Sequence, residues 1–144
     1  MWEGGMPAPG TSAEDSGFHA RWVGSASVPG SMGYTAIGIL LAVMEVGDGI
    51  LKLRVRPALL RLMFGIENLS AAADPGTMIF PARKFGQIGI EIRPERLPPY
   101  YFWTAHRNDV LPCLAGAGFR VSTDEQAMSY RSANRALTSA RGTK

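Results

Sequence analysis

The chain of 144 residues has a single cysteine, Cys113, and two histidines, His19 and His106. One cysteine excludes an internal disulfide and any thiolate-rich zinc or iron–sulfur site. Two isolated histidines give no recurring ligand spacing, so neither a metal nor a cofactor is expected. Charge is sparse: 15 Lys and Arg against 12 Asp and Glu leave a net +3, and charged residues make up 19% of the chain. So small a basic excess, without a long basic stripe or a nucleic-acid motif, argues against nucleic acid as a partner. The longest apolar run, YTAIGILLAVM at 34–44, ends at Glu45 and is about half of the roughly 20 residues that a membrane-spanning helix needs. The opening MWEGGMPAPG has no early Lys or Arg, so no export signal is expected and the expected location is cytoplasmic. Gly86-Gln87-Ile88-Gly89 lacks the third glycine and the Lys-Ser/Thr ending of a phosphate-binding loop.

Hydrophobic residues make up 46% of the chain, which excludes a fully disordered polymer. Three regions are expected. Residues 1–33 are rich in Gly, Pro and Ser and read as a flexible N-terminal tail, because such a composition buries too little apolar surface to offset chain entropy. Residues 34–122 read as one folded domain. Residues 123–144 read as a basic C-terminal tail, partly helical, with Ala127, Tyr130, Ala133 and Leu137 near helical spacing.

The domain is expected to be mainly β with a C-terminal helix. Residues 37–46 form an apolar strand, Gly47-Asp48-Gly49 a tight turn, and ILKLRVR at 50–56 a second strand. Leu51, Leu53 and Val55 face one way in it, and Lys52, Arg54 and Arg56 the other. Residues 59–66 are expected as a third strand, with one helical turn as the alternative. Residues 77–80 read as a short strand. QIGIEIR at 87–93 alternates, with its isoleucines inward, and YYFWTAH at 100–106 is strongly β-prone. A short helix follows over 110–117, capped by Asn108 or Asp109, with Pro112 in its first turn and Gly116 or Gly118 at its end.

Two stretches carry a family resemblance: AVMEVGDGILKLRVRP at 42–57 and YYFWTAHRNDVLPCLAGAGFRV at 100–121. The hairpin, and the aromatic strand running into a helix and a Gly-Phe-x-Val tail, resemble a bacterial pleckstrin-homology-like domain of the small actinobacterial kind. The resemblance implies a strongly bent antiparallel sheet, an open barrel with a helix over one end. It also implies a binding scaffold rather than an enzyme.

Three groups of side chains carry the functional expectations. Lys52, Arg54 and Arg56 space three cations along one strand face, a pattern suited to phosphate, and Arg83 and Lys84 extend it if the fold brings them close. Peripheral binding to an anionic lipid surface follows from that reading; a solvated strand face is the competing one. Tyr101 and Trp103 share one side of the aromatic strand and are the candidates for contact with a protein or peptide partner, unless helix packing covers them. Such a partner, taken up at an exposed sheet edge or groove, is the leading expectation. His106, Asp109 and Cys113 fall at i, i+3 and i+7, which raises the remote alternative of a cysteine nucleophile activated by His106.

Overall fold

The computed structural model describes residues 18–56 and 58–142. The elements are β1 (Phe18–Gly30), β2 (Gly33–Gly47), β3 (Ile50–Val55), α1 (Ala58–Phe64), β4 (Leu69–Ala72), β5 (Met78–Lys84), β6 (Gln87–Arg93), β7 (Tyr100–Trp103), α2 (Arg107–Gly116), β8 (Arg120–Val121), β9 (Gln126–Ala127) and α3 (Tyr130–Gly142). The chain is mainly β, and among the described residues all strands join one sheet in the order β9-β5-β6-β7-β1-β2-β3-β4, with β8 also on β5. Neighbours pair antiparallel except β8 and β9, which lie parallel to β5. The sheet is therefore mixed, where the sequence led us to expect an antiparallel one. After α2 the chain returns along the outer edge of β5 in the same direction and covers its unpaired backbone groups.

The sheet is not closed, since β4 and β5 do not pair. It is nevertheless curved. Six strand-to-strand steps separate β4 from β5, about 29 Å in a flat sheet. The loop 73–77 joins their ends and reaches about 20 Å at full extension.

Phe18–Gly30 is the clearest departure from the sequence reading. It was expected within a flexible tail, yet it forms β1 at the centre of the sheet, paired with β2 on one side and β7 on the other. Its small residues are required there: a Cβ on Gly24 would meet the Trp103 carbonyl at 2.6 Å and the Phe102 ring at 3.2 Å. Low side-chain bulk, which reads as tail in composition, is what close approach demands. Residues 1–17 of the expected tail lie outside the described residues.

Residues 58–64 form helix α1 instead of the expected strand. As a strand they would need a face to bury, but none of the side chains of α1 is buried. Gly65 (φ +64) ends it, as a left-handed residue after a helix does. Residues 123–144 also depart from a simple tail, since β9 joins the sheet and α3 packs on it through Leu137, Tyr130 and Ala133.

The main core lies between the sheet and α2. Leu51, Leu53, Ile79, Ile90, Ile92 and Phe102 from the strands meet Val110 and Leu114 from α2, with Phe119 after it. The C-terminal end of α2 is tied to the hairpin turn by Gly49 N–H donating to the Ala117 carbonyl at 2.9 Å. α2 starts at Arg107, earlier than expected, with His106 at its N-cap and no side-chain cap bond. Pro112 therefore sits beyond the first turn, and the carbonyl it leaves without a helical donor belongs to Asn108, an exposed residue. Gly118 (φ +102) terminates the helix, with Phe119 N–H donating to the Leu114 carbonyl at 3.0 Å.

Candidate functional site

A gap in the sheet forms an open concavity. β7 stops at Trp103, because Thr104 turns the chain: its N–H still donates to the Ile88 carbonyl, while its Oγ1 accepts from His106 N–H at 3.0 Å. β1 pairs with β7 from Ser25 onward, so residues 21–24 have a strand partner on the β2 side alone among the described residues. The result is a cleft of about 450 Å³ with Val23 and Ser25 on one wall, Gln87 and Ile88 on the other, and Trp103 to His106 at its base. Val23 and Ile88 are partly exposed at its rim.

Phe85 stands beside this cleft at the tip of the β5–β6 turn. It is 97% exposed and is the one non-glycine residue with positive φ (50°) among the described residues. A bulky residue in the left-handed region costs about 1–2 kcal/mol, and an exposed phenyl ring gains nothing by burial in return. The sequence reading missed Phe85. The signal was there, in an aromatic residue next to glycine between two strands, where Asn or Asp is the usual occupant.

The five cations expected to share a patch are divided. Lys52 and Arg54 lie on β3 and Arg56 just after it, whereas Arg83 and Lys84 lie on β5, five strand steps away. The β3 face is also partly neutralised. Glu45 faces Lys52 across the β2–β3 pair and accepts from Arg54 Nη2 at 3.2 Å, with Arg21 Nε at 3.7 Å. Arg83 pairs with Glu125 at 3.8 Å. Lys84 donates to the Tyr130 hydroxyl at 3.1 Å and lies 5.1 Å from the Trp103 ring centre.

Tyr101 and Trp103 do share one face, but they are 7% and 3% exposed. The segment at Met128 and helix α3 cover them, so their contact is with the chain's own C-terminal region. The rings stack at 5.7 Å. Trp103 Nε1–H donates to Ser27 Oγ at 2.9 Å, and Ser27 Oγ lies 2.6 Å from the Tyr130 hydroxyl. Beside them a smaller hollow of about 310 Å³ lies against α3. Glu91, 3% exposed, is held there by Arg93 at 2.7 Å. Burial, first, and the Glu91 carboxylate, second, push the Tyr101 phenol well above its ordinary value. Burial and then Tyr101 do the same to Tyr34.

His106 and Cys113 are not brought together. Seven residues along α2 amount to about 10 Å of rise, and His106 Nδ1 faces Asp109 Oδ2 at 3.9 Å on the surface. Burial raises the Cys113 thiol, the reverse of activation. Among the described residues no cluster of His, Cys, Asp and Glu could hold a metal ion, and no helix is long and apolar enough to cross a membrane.

Comparison with protein-family models, with curated proteins and with solved structures finds no match for this chain.

Proposed function

We propose that this chain is a non-catalytic interaction module of the pleckstrin-homology-like type that takes up an extended peptide in the gap between β1 and β6. The family type is supported by the order of seven strands, β1 to β7, followed by helix α2, and by the open, curved sheet. The peptide reading rests on one observation: β1 offers unpaired main-chain groups at 21–24 beside a cleft with Val23 and Ile88 at its rim and the strained, exposed Phe85 next to it. An added strand would continue the place that β7 vacates at Trp103. Its main-chain bonds would give affinity, and its side chains would meet Val23, Ile88 and Phe85. Lipid attachment through the β3 cations has less support, because Glu45 sits among them.

Selecting peptides from a random library on the folded full chain, and remeasuring them on Phe85→Gly, tests the reading. Glycine removes the φ strain, so the variant should be as stable as the parent or more stable by about 1 kcal/mol. The selected peptides should nonetheless bind about tenfold more weakly, the loss of one buried aromatic contact. Peptides that bind Phe85→Gly and Val23→Arg as tightly as the parent would place recognition elsewhere and refute it.

A further inference from the structure

Outside the cover of α3 the chain exposes two groups of apolar side chains: Phe85 beside the cleft, and Met32 of the β1–β2 turn with Leu59, Leu62 and Met63 of α1. The hollow of about 310 Å³ against α3 carries more specific chemistry than either. It shares no lining residue with the cleft. Its size is at the lower end of the roughly 300–1,000 Å³ of ligand pockets, which suits a small molecule and not a peptide strand.

Its polar groups are sorted by depth. Glu91, 3% exposed, accepts from Arg93 Nε at 2.8 Å and lies 2.7 Å from Arg93 Nη2, in both cases through Oε2. An ionised carboxylate has no proton to give, so what is left of its capacity is for acceptance. The Tyr34 hydroxyl donates its proton to the Pro99 carbonyl at 2.6 Å, so towards the hollow it too can only accept. The donor is at the mouth: the Arg93 side chain is 46% exposed, and its Nη1 takes no part in the bonds to Glu91. The inside therefore calls for a cation and the mouth for an anion. Glu91 and Arg93 already neutralise each other, so a ligand of net charge would leave an unmatched charge against a buried carboxylate. A small zwitterion meets both conditions.

The walls suit the same class. The Tyr34 and Tyr101 rings lie 6.0 Å apart at 61° and offer aromatic surface to an ammonium group. On the α3 side Ser129, Ser132, Ala133 and Ala136 line the hollow. They fall at i, i+3, i+4 and i+7, one face of a helix, and their small side chains leave the space open where a fully packed helix would fill it. Ser132 and Ala136 are exposed at the mouth.

We propose that the hollow between β6, β7 and α3 binds a free α-amino acid, with its ammonium inside against Glu91 and the Tyr34 and Tyr101 rings, its carboxylate at the mouth on Arg93, and its side chain along Ala133 and Ala136. This site does not depend on the peptide cleft.

The thermal midpoint of the full chain, measured with each standard α-amino acid singly at millimolar concentration, tests it. An amino acid present at about tenfold its dissociation constant should raise the midpoint by about 5 °C. By calorimetry, the matching amine without its carboxylate, and the matching carboxylate without its amine, should each bind about tenfold more weakly or worse. Glu91→Gln keeps an acceptor for Arg93 but removes the charge, and should weaken binding about tenfold or more. Ala136→Phe fills the mouth from an exposed helix position, so the midpoint of the free chain should hold while the rise with ligand disappears. Phe85→Gly should leave the rise unchanged. If no amino acid moves the midpoint, or if the rise survives Ala136→Phe, the proposal is overturned. Equal binding of the amine or the carboxylate analogue also overturns it, since the ligand would then not be read as a zwitterion.

Discussion

One of the polar chains that tie α3 to the sheet runs through Ser27, and breaking it should cost a calculable amount. Ser27 is 0% exposed. Its Oγ accepts from Trp103 Nε1–H at 2.9 Å and bonds the Tyr130 hydroxyl at 2.6 Å, and Lys84 Nζ donates to that hydroxyl at 3.1 Å. Ser27→Ala removes both of the bonds made by Ser27 Oγ and leaves the indole N–H buried without an acceptor. Each net bond is worth about 1 kcal/mol, and an orphaned buried donor costs about 1–3 kcal/mol. The expected loss is about 2–3 kcal/mol, or roughly 7–11 °C in the thermal midpoint for a chain of this size. Tyr130→Phe leaves Ser27 to accept from Trp103, so it should cost about 1 kcal/mol. In the Ser27→Ala background its cost should fall to a few tenths, because the shared bond is already gone, giving a coupling of roughly 0.5–1 kcal/mol. Urea unfolding followed by circular dichroism measures the four corners of the cycle. If the two substitutions add to within about 0.3 kcal/mol, the bond between Ser27 and Tyr130 does not hold α3 and the account of Trp103 as a covered residue fails.

Other consequences are simpler to read. Leu114→Ala empties a fully buried site between α2 and the sheet and should cost about 2–5 kcal/mol in urea unfolding; a near-neutral result would mean that α2 does not cover the core. Gly49 has φ +73 and open space around a Cβ, so Gly49→Val should cost about 1–2 kcal/mol through backbone strain alone, and Gly49→Asn distinctly less, by the same unfolding measurement. Burial holds the Tyr34, Tyr100 and Tyr101 phenols above their ordinary value. Folded values above the unfolded one mean that this stability is fully present below about pH 10 and is lost as pH rises further. Phenolate absorbance from these three should therefore appear together with loss of ellipticity in alkali, and their ionisation in the folded chain would contradict the burial.

The strands visible in the sequence are those that bury one face. In β3 the alternation of Leu51, Leu53 and Val55 with Lys52 and Arg54 is reproduced in the burial of the structure. In β6 the inward Ile90 and Ile92 are core, but Glu91 between them is buried as well, because α3 and the segment before it cover the other face. Alternation cannot reveal a second cover that comes from far along the chain. The same cause defeated the reading of Tyr101 and Trp103 as a partner surface, although Tyr130 and Ala133 had already marked the helix face that covers them. β1 was missed for the opposite reason: Gly24, Ser25 and Ser27 are small because β7 passes close by, and proximity to a strand some 75 residues later leaves no local pattern. α1 was misread because its leucines suggested burial, while the structure exposes Leu59 and Leu62 and packs Leu60 alone, partly buried, against the core.

The two exposed apolar surfaces sit at opposite ends of the strands. Ser25 pairs with Trp103 and Ser27 with Tyr101, while Gly89 pairs with Trp103 and Glu91 with Tyr101. The β5–β6 turn with Phe85 therefore lies toward the start of β1, and the β1–β2 turn with Met32 lies at its other end. From Val23 to Ser31 is about 26 Å of extended chain, too far for one small ligand to touch both. α3 has already taken the aromatic face between them, through Tyr101 and Trp103.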